Sequence, residues 1–183
     1  NNSITGTWGA SASDNSDYRV KNGVMNYIKR QYTFQPNGTY CFVSKAFDPL
    51  MNNIFLGKET GTYISSGNTI TVIPKKSVLE AWSKKDGTDN WGKFINSQEI
   101  ALEKTTYQFT KHYFSGIQEW NLVLQSSKAT QRDGPFSNNT TFTNCWYYRP
   151  ISYTNKLIEY PDREKEEVIK DIPEVAVKSV KKD

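Results

Sequence analysis

Aromatic residues that alternate along short segments, separated by tight-turn residues, constrain this chain more than any other feature. The clearest case begins at Tyr32 and runs through Pro36-Asn37-Gly38 to Phe42. Proline presets the first turn position, and glycine accepts the left-handed conformation that closes a short hairpin loop. This hairpin predicts Phe34 opposite Tyr40 and Tyr32 opposite Phe42, so one face is aromatic and the other is small and mostly polar.

Two further pairs of segments repeat this pattern. In the first, Ser66-Gly67 is the predicted two-residue loop, which sets Tyr63 opposite Ile70. In the second, Ser115-Gly116 is the predicted loop. One face of that hairpin then carries Tyr107, Phe109, Lys111, Trp120, Leu122 and Leu124.

A last predicted strand, Thr141 to Arg149, again places aromatic residues at alternate positions. Strands of this kind predict an all-β barrel or sandwich, and the aromatic face favours a barrel, antiparallel and up-and-down with about eight strands over residues 1–152. Inward rings either fill a barrel completely or leave a cavity, and the sequence leaves both open. The predicted lining residues are Phe34, Tyr40, Tyr63, Tyr107, Phe109 and Trp120.

The segment after the second hairpin predicts a short helix. Pro74 is expected to stop the sheet, and Ser77 and Glu80 have the spacing of a capping box, with the helix running through Lys85. Such a helix either plugs an end of the barrel or packs on its outside.

The loop 125–140 is long for a connection inside a compact domain, and such loops are often functional. Arg132 in this loop is predicted to pair either with its neighbour Asp133 or with an anionic group of a ligand. Phe136 either folds over an opening of the barrel or pins a surface loop.

The third hairpin also carries polar side chains. Lys111 shares a face with aromatic rings, where a charge is costly unless it reaches solvent or finds a partner. It either extends along Trp120 toward solvent or binds a carboxylate or phosphate of a ligand. His112, the only histidine, is predicted opposite Glu119 on the polar face, which favours a cross-strand ion pair over catalysis.

Composition argues against several classes of function. The net charge is +4 and the basic residues form no long stripe, so we expect no nucleic-acid partner. No segment approaches the roughly twenty apolar residues that span a bilayer. With one histidine, no nucleophile elbow and no phosphate loop, we expect no metal, no cofactor and no enzymatic activity. Cys41 and Cys145 are predicted to be thiols rather than a disulfide.

Residues 153–183 differ in character and are predicted to form a C-terminal extension. The segment 163–170 is highly charged, and 174–178 alternates like a short strand after Pro173. Such a segment either docks onto a protein partner or is a flexible terminus.

Gly6-Thr7-Trp8, at the head of the first strand, is similar to the Gly-x-Trp signature of the lipocalins and the wider calycin superfamily. In those barrels an arginine from near the last strand packs across the tryptophan. Arg149 matches that position, with Arg132 as a second candidate. The hairpins at 34–40 and 61–70 also resemble those of small lipocalin-like envelope proteins of Bacteroides-type bacteria.

This resemblance covers residues 4–150, and the second lipocalin signature, Thr-Asp-Tyr, is absent. It implies a protein that binds a small hydrophobic or amphipathic molecule and that is periplasmic, outer-membrane-associated or secreted. A polar head group would then meet Lys111 or Arg132. The alternative is a non-enzymatic structural or interaction subunit that docks through residues 153–183.

Overall fold

Nine antiparallel strands form one sheet in the described part of the chain, which comprises residues 3–14, 16–152 and 154–161 of the computed structural model. The strands are β1 (Gly6–Ala12), β2 (Tyr27–Phe34), β3 (Thr39–Phe47), β4 (Asn53–Ser66), β5 (Thr69–Lys84), β6 (Trp91–Glu99), β7 (Thr105–Phe114), β8 (Glu119–Gln125) and β9 (Cys145–Pro150). A helix, α1 (Asp17–Asn22), lies between β1 and β2, and a 3-10 turn, Lys85–Gly87, precedes β6.

Eight of these strands close into a ring. β1 to β5 pair in order, β5 pairs with β7, β7 to β9 pair in order, and β9 returns to β1. β6 joins only the second half of β5. The predicted antiparallel up-and-down barrel is therefore confirmed.

The barrel has two different ends. We call the end with the tight loops 35–38, 67–68 and 115–118 the hairpin end. The opposite end, with the connections 13–26, 48–52, 100–104 and 126–144, is the loop end. Functional residues are usually carried on the longer connections of a rigid scaffold, so the loop end is where a site is expected.

The inner face of the barrel is aromatic, as the first hairpin predicts. Phe34 pairs with Tyr40 and Tyr32 with Phe42, in the predicted register. A single buried cluster fills the interior, and its members are Ile4, Trp8, Tyr32, Phe34, Tyr40, Phe42, Ile70, Val72, Tyr107, Phe109, Leu122, Leu124, Trp146 and Tyr148. Rings of this size bury much apolar area per residue, so a modest hydrophobic fraction still provides a full core.

A second buried cluster lies on the outer face of β3, β4 and β5. Val43, Leu56 and Trp82 point outward there and are covered by Ile158, which is 2% exposed. The chain reaches this position by crossing β1 closely, since a Cβ at Gly9 would lie only 2.6 Å from Leu157 Cδ2. Residues 154–161, the described start of the predicted extension, therefore pack on the barrel. The segments 163–170 and 174–178 lie outside the described residues.

The predicted helix from Ser77 to Lys85 is wrong, because β5 continues as a strand to Lys84. This segment pairs with β4 on one side and β6 on the other, and these long-range partners override its local capping-box pattern. Pro74 does not stop the sheet either. It lies opposite Gly61 at a register shift, and an irregularity of this kind tolerates a residue without an N–H group.

Two hairpin registers differ from the prediction by two residues. The β4–β5 loop is Gly67-Asn68, so Tyr63 pairs with Val72 instead of Ile70. The β7–β8 loop has four residues, so Tyr113 pairs with Trp120. A shift of two preserves the face on which each side chain lies, but it moves each residue along the barrel axis.

No helix in the described part of the chain is long and apolar enough to cross a bilayer. Cys41 and Cys145 are not joined by a disulfide, as the sequence predicts. Cys145 is fully buried, and its thiol donates to the carbonyl of Ser137.

Candidate functional site

The connection 126–144 inserts two charged side chains into the barrel. Arg132 is only 7% exposed and Asp133 only 2% exposed. A tight turn presents them, since the Gly134 amide donates to the Thr130 carbonyl over 2.9 Å. The following segment is pinned by Trp146, whose indole N–H donates to the carbonyl of Gly134, and by Phe136, whose ring lies 4.9 Å from that of Trp146.

Asp133 is surrounded by hydroxyl donors. Its Oδ1 accepts hydrogen bonds from Tyr32 and Tyr148, each over 2.6 Å, and its Oδ2 accepts from Tyr107 and Thr130. Four donors satisfy a carboxylate completely. Burial, reinforced by the negative charge of Asp133, raises the pKa of Tyr32 and Tyr148 well above 10, so both phenols keep the proton that they donate.

Arg132 binds Glu59, so the predicted pair with Asp133 is wrong. Its Nε donates to Glu59 Oε1 over 2.7 Å, Nη1 to the Tyr107 hydroxyl and Nη2 to the Glu103 carbonyl. Tyr40 donates to the same Glu59 oxygen over 2.6 Å. Burial, followed by the charge of Glu59, raises the pKa of Tyr40. These pairs form a hydrogen-bonded polar floor across the barrel, which we define as Asp133, Arg132, Glu59 and the tyrosines that bind them.

A cavity of about 310 Å³ lies at the loop end, next to the polar floor. Its walls come from the loop-end halves of β2, β3, β4 and β5 and from the connection before β7. The apolar lining residues are Ile28, Phe42, Ala46, Phe55, Val78, Leu79, Ile100 and Ala101, and the charged ones are Arg30, Lys58, Glu59, Glu103 and Arg132. Apolar walls with a few polar groups are typical of small-molecule sites.

Two of the charged lining residues have a buried atom without a partner. Arg30 Nε and Glu103 Oε1 are both buried and make no hydrogen bond within the described structure. Arg30 lies directly over the backbone of Gly134, where a Cβ would stand 2.4 Å from Arg30 Nη2. The φ of Gly134 is +75°, a conformation that residues with a side chain rarely adopt, so this backbone conformation favours glycine.

A second cavity of about 430 Å³ adjoins the first, and Asp14 and Asn26 from the connection between β1 and β2 are among its lining residues. The two cavities share Ile28, Arg30, Ala46 and Phe55 as lining residues. Arg30 thus stands between them, at the loop end of the barrel.

Most of the predicted lining residues fill the barrel and do not line these cavities. Phe34, Tyr40, Tyr107 and Phe109 are buried in the inner core cluster, and Tyr63 packs against it from the hairpin end. Their rings contact each other, as for Phe34 and Tyr63 at 5.1 Å between centroids. Of the predicted ligand-binding residues, Arg132 lines the cavity of about 310 Å³.

The predicted place of Trp120 in the interior is wrong. Its side chain is 57% exposed, because the four-residue loop puts it at the end of β8 beside Tyr113. The centroids of these two rings are 5.4 Å apart. Trp120 therefore belongs to the surface of the hairpin end.

The predicted stack of Arg149 on Trp8 is also wrong. Trp8 is buried and donates its indole N–H to the carbonyl of Ile4, two residues before Gly6. Arg149 pairs with Gly9 across the strands and so lies on the opposite face, where it binds both carboxylate oxygens of Glu119. The cation over Trp8 is Lys111, whose Nζ lies 5.9 Å from the ring centroid.

His112 does not pair with Glu119, contrary to the prediction. It lies opposite Asn121, and its ring meets the edges of Phe114 and Phe142. The carboxylate of Glu119 is taken up by Arg149 and by the Asn121 amide. The two-residue shift of the hairpin explains the difference.

Sequence analysis missed Arg30 and Glu103, the two charged residues of the cavity with unpartnered atoms. A signal for Arg30 was present, because it lies two residues before Tyr32 and four before Phe34, and alternation along a strand puts all three on one face. No comparable signal existed for Glu103, which precedes β7 in a connection without periodicity.

The described residues contain no cluster of three or more histidine, cysteine, aspartate or glutamate side chains that could hold a metal ion. Each charged residue of the polar floor is bound by other protein groups, whereas Arg30 and Glu103 in the cavity wall each have a buried atom without a partner in the described structure. Neither known protein families nor curated proteins give a match to this chain, so the functional argument depends on the geometry of the site.

Proposed function

We propose that this barrel is a non-enzymatic binding protein for a small amphipathic molecule, which it holds in the loop-end cavity of about 310 Å³. The single observation that carries the proposal is the composition of that cavity. Most of the lining surface is apolar, and the lining residues Arg30 and Glu103 each have a polar atom without a partner among the described residues. A cavity of this size is at the lower end of the range for ligand sites.

The layered interior supports the same function. The aromatic core fills the hairpin end, and the polar floor lies between most of that core and the cavity. A ligand at the loop end would therefore meet a rigid base, since every charged group of the Arg132–Glu59 pair is held by further hydrogen bonds.

The resemblance of Gly6-Thr7-Trp8 to the Gly-x-Trp signature supports a lipocalin-like barrel in particular. Trp8 lies in the half of β1 nearer the hairpin end, and the cavity lies at the opposite end of the barrel. On this resemblance we propose a location in the periplasm, at the outer membrane or outside the cell. The alternative of docking through residues 153–183 stays a prediction, because the structure describes only 154–161 of that extension.

A fluorescent apolar probe tests the proposal. N-phenyl-2-naphthylamine is neutral and brightens in apolar surroundings, so its titration into the protein reports cavity binding. Ala46 lines both loop-end cavities, so the larger side chain in Ala46→Trp should fill them. We expect this variant to bind the probe about tenfold more weakly or worse, which corresponds to a loss of about 1.4 kcal/mol of binding free energy.

Trp120→Ala is the matched control, because it removes an exposed aromatic ring at the opposite end of the barrel. We expect this variant to bind the probe as the original protein does. Binding that survives Ala46→Trp and disappears with Trp120→Ala would contradict a loop-end site. Circular dichroism establishes that both variants are folded.

A further inference from the structure

The charged groups around the loop-end cavity differ in whether the protein satisfies them. Arg132 is held by Glu59, and Lys58 is held by Glu80 over 2.9 Å. Arg30 and Glu103 are the lining residues with a buried side-chain atom, Nε and Oε1 respectively, that has no partner among the described residues. One is a donor on a cation, and the other is an acceptor on an anion.

Leaving such atoms unsatisfied is costly. A buried donor or acceptor without a partner destabilises a folded protein by about 1–3 kcal/mol, and by more when the group is charged. Native proteins keep few of these groups, and each one calls for an explanation. Here both side chains line one cavity, so a molecule that enters it and binds the guanidinium of Arg30 and the carboxylate of Glu103 would account for both.

We propose that the ligand is a compact amphipathic anion that also carries an N–H or O–H donor. Its anionic group binds the guanidinium of Arg30, its donor binds the carboxylate of Glu103, and its apolar body packs against Ile28, Phe55, Leu79 and Ile100. This inference rests on the proposed function, because it names the class of molecule that the same cavity takes.

Arg30 is a better anion partner than Arg132. Three nitrogens of Arg132 already donate to Glu59, Tyr107 and the Glu103 carbonyl. A guanidinium presents five donors in a planar fork that matches a carboxylate or sulfonate with two parallel hydrogen bonds. The guanidinium of Arg30 lies close to the backbone of Gly134.

A matched pair of probes isolates the contribution of Arg30. The dye 6-anilinonaphthalene-2-sulfonate has an apolar body, an N–H donor and a sulfonate, and N-phenyl-2-naphthylamine is the same body without the sulfonate. We expect Arg30→Gln to weaken binding of the sulfonate by about tenfold or more and to leave the neutral probe within about twofold.

The control for this step is Arg149→Gln, which removes an exposed arginine on the outer face and should change neither affinity. Arg30→Lys keeps the charge without the fork, so it should restore part of the lost affinity for the sulfonate. Equal effects of Arg30→Gln on both probes, or no effect on either, would overturn the anionic part of the proposal.

The donor part is tested with neutral probes alone, because removing the Glu103 charge would itself alter the affinity for an anion. In 2-phenoxynaphthalene an ether oxygen replaces the N–H group, and its affinity is obtained by competition. We expect Glu103→Met to lower the affinity for N-phenyl-2-naphthylamine by about fivefold and to leave the affinity for 2-phenoxynaphthalene unchanged. An unchanged affinity for the N–H probe would refute the role of Glu103.

These outcomes differ from a failure of the proposed function. If the cavity binds no small molecule, the neutral probe fails to bind the original protein, or binds without any effect of Ala46→Trp. If the cavity binds but its polar groups hold only ordered water, the neutral probe binds and Arg30→Gln has no selective effect on the sulfonate.

Discussion

At the residue scale, Asp133 shows how the barrel tolerates a buried charge. A carboxylate in an apolar interior is strongly destabilising unless every oxygen lone pair finds a donor. Tyr32, Tyr107, Tyr148 and Thr130 supply those donors. The cost of this arrangement is that the tyrosines can no longer ionise, since a phenolate beside the Asp133 carboxylate would be both desolvated and repelled.

We therefore expect a loss of stability in alkali. Folding raises the pKa of Tyr148 well above 10. Below a pH of about 10, Tyr148 is therefore protonated in the folded and in the unfolded protein. Above that pH, the unfolded chain releases the proton while the folded protein keeps it. The free energy of unfolding should then fall by about 1.4 kcal/mol per pH unit for each such tyrosine. Urea unfolding between about pH 8 and pH 11 measures this slope.

Tyr148→Phe removes one of these groups and should flatten the alkaline slope by about 1.4 kcal/mol per pH unit, whatever it does to stability at neutral pH. Tyr18→Phe is the control, because Tyr18 is exposed and should leave the slope unchanged. Identical slopes for all three proteins would show that the buried phenols do not control the alkaline transition.

At the element scale, the segment 154–161 acts as a cover over the second hydrophobic cluster. Val43, Leu56 and Trp82 are buried on the outer face of the barrel, which usually faces water. The cover is fixed at Ile158 and by the Trp91 indole, which donates to the Glu159 carbonyl over 2.6 Å. These contacts make residues 154–161 part of the folded domain.

Ile158→Ala should destabilise the protein by about 2–4 kcal/mol, because it removes a fully buried side chain and leaves a cavity against Leu56 and Trp82. Urea unfolding measures the change. Val20→Ala is the control, because it changes an exposed residue of α1, and it should lower the free energy of unfolding by less than about 0.5 kcal/mol. A cost for Ile158→Ala no larger than that of Val20→Ala would mean that the cover contributes little to stability.

The elements also show what local sequence can predict. The first hairpin was predictable in full, because Pro36-Asn37-Gly38 specifies both the turn and its register. The segment after Ser77 was not, because its strand form depends on pairing with β4 and β6. The other two hairpins lacked a turn that fixes loop length, so only the faces of their residues could be predicted.

At the scale of the whole molecule, the barrel consists of three layers along its axis: an aromatic core, the polar floor and the loop-end cavity. The alternation of side chains along the predicted hairpin strands predicted the aromatic core. The floor could not be predicted, because it depends on where the connection 126–144 enters the barrel. Arg132 was expected to pair with Asp133 or with a ligand anion, and it binds Glu59 instead. The cavity depends on that insertion, since Arg132 from this connection forms part of its base.

The most direct measurement of a loop-end binding site is a map of amide chemical shifts in the isotope-labelled protein as N-phenyl-2-naphthylamine is added. We expect the largest changes at Ala46, Leu79 and Ala101, which line the cavity of about 310 Å³, and no change at Trp120. Changes confined to Tyr113 and Trp120, or no changes at any concentration, would contradict the account.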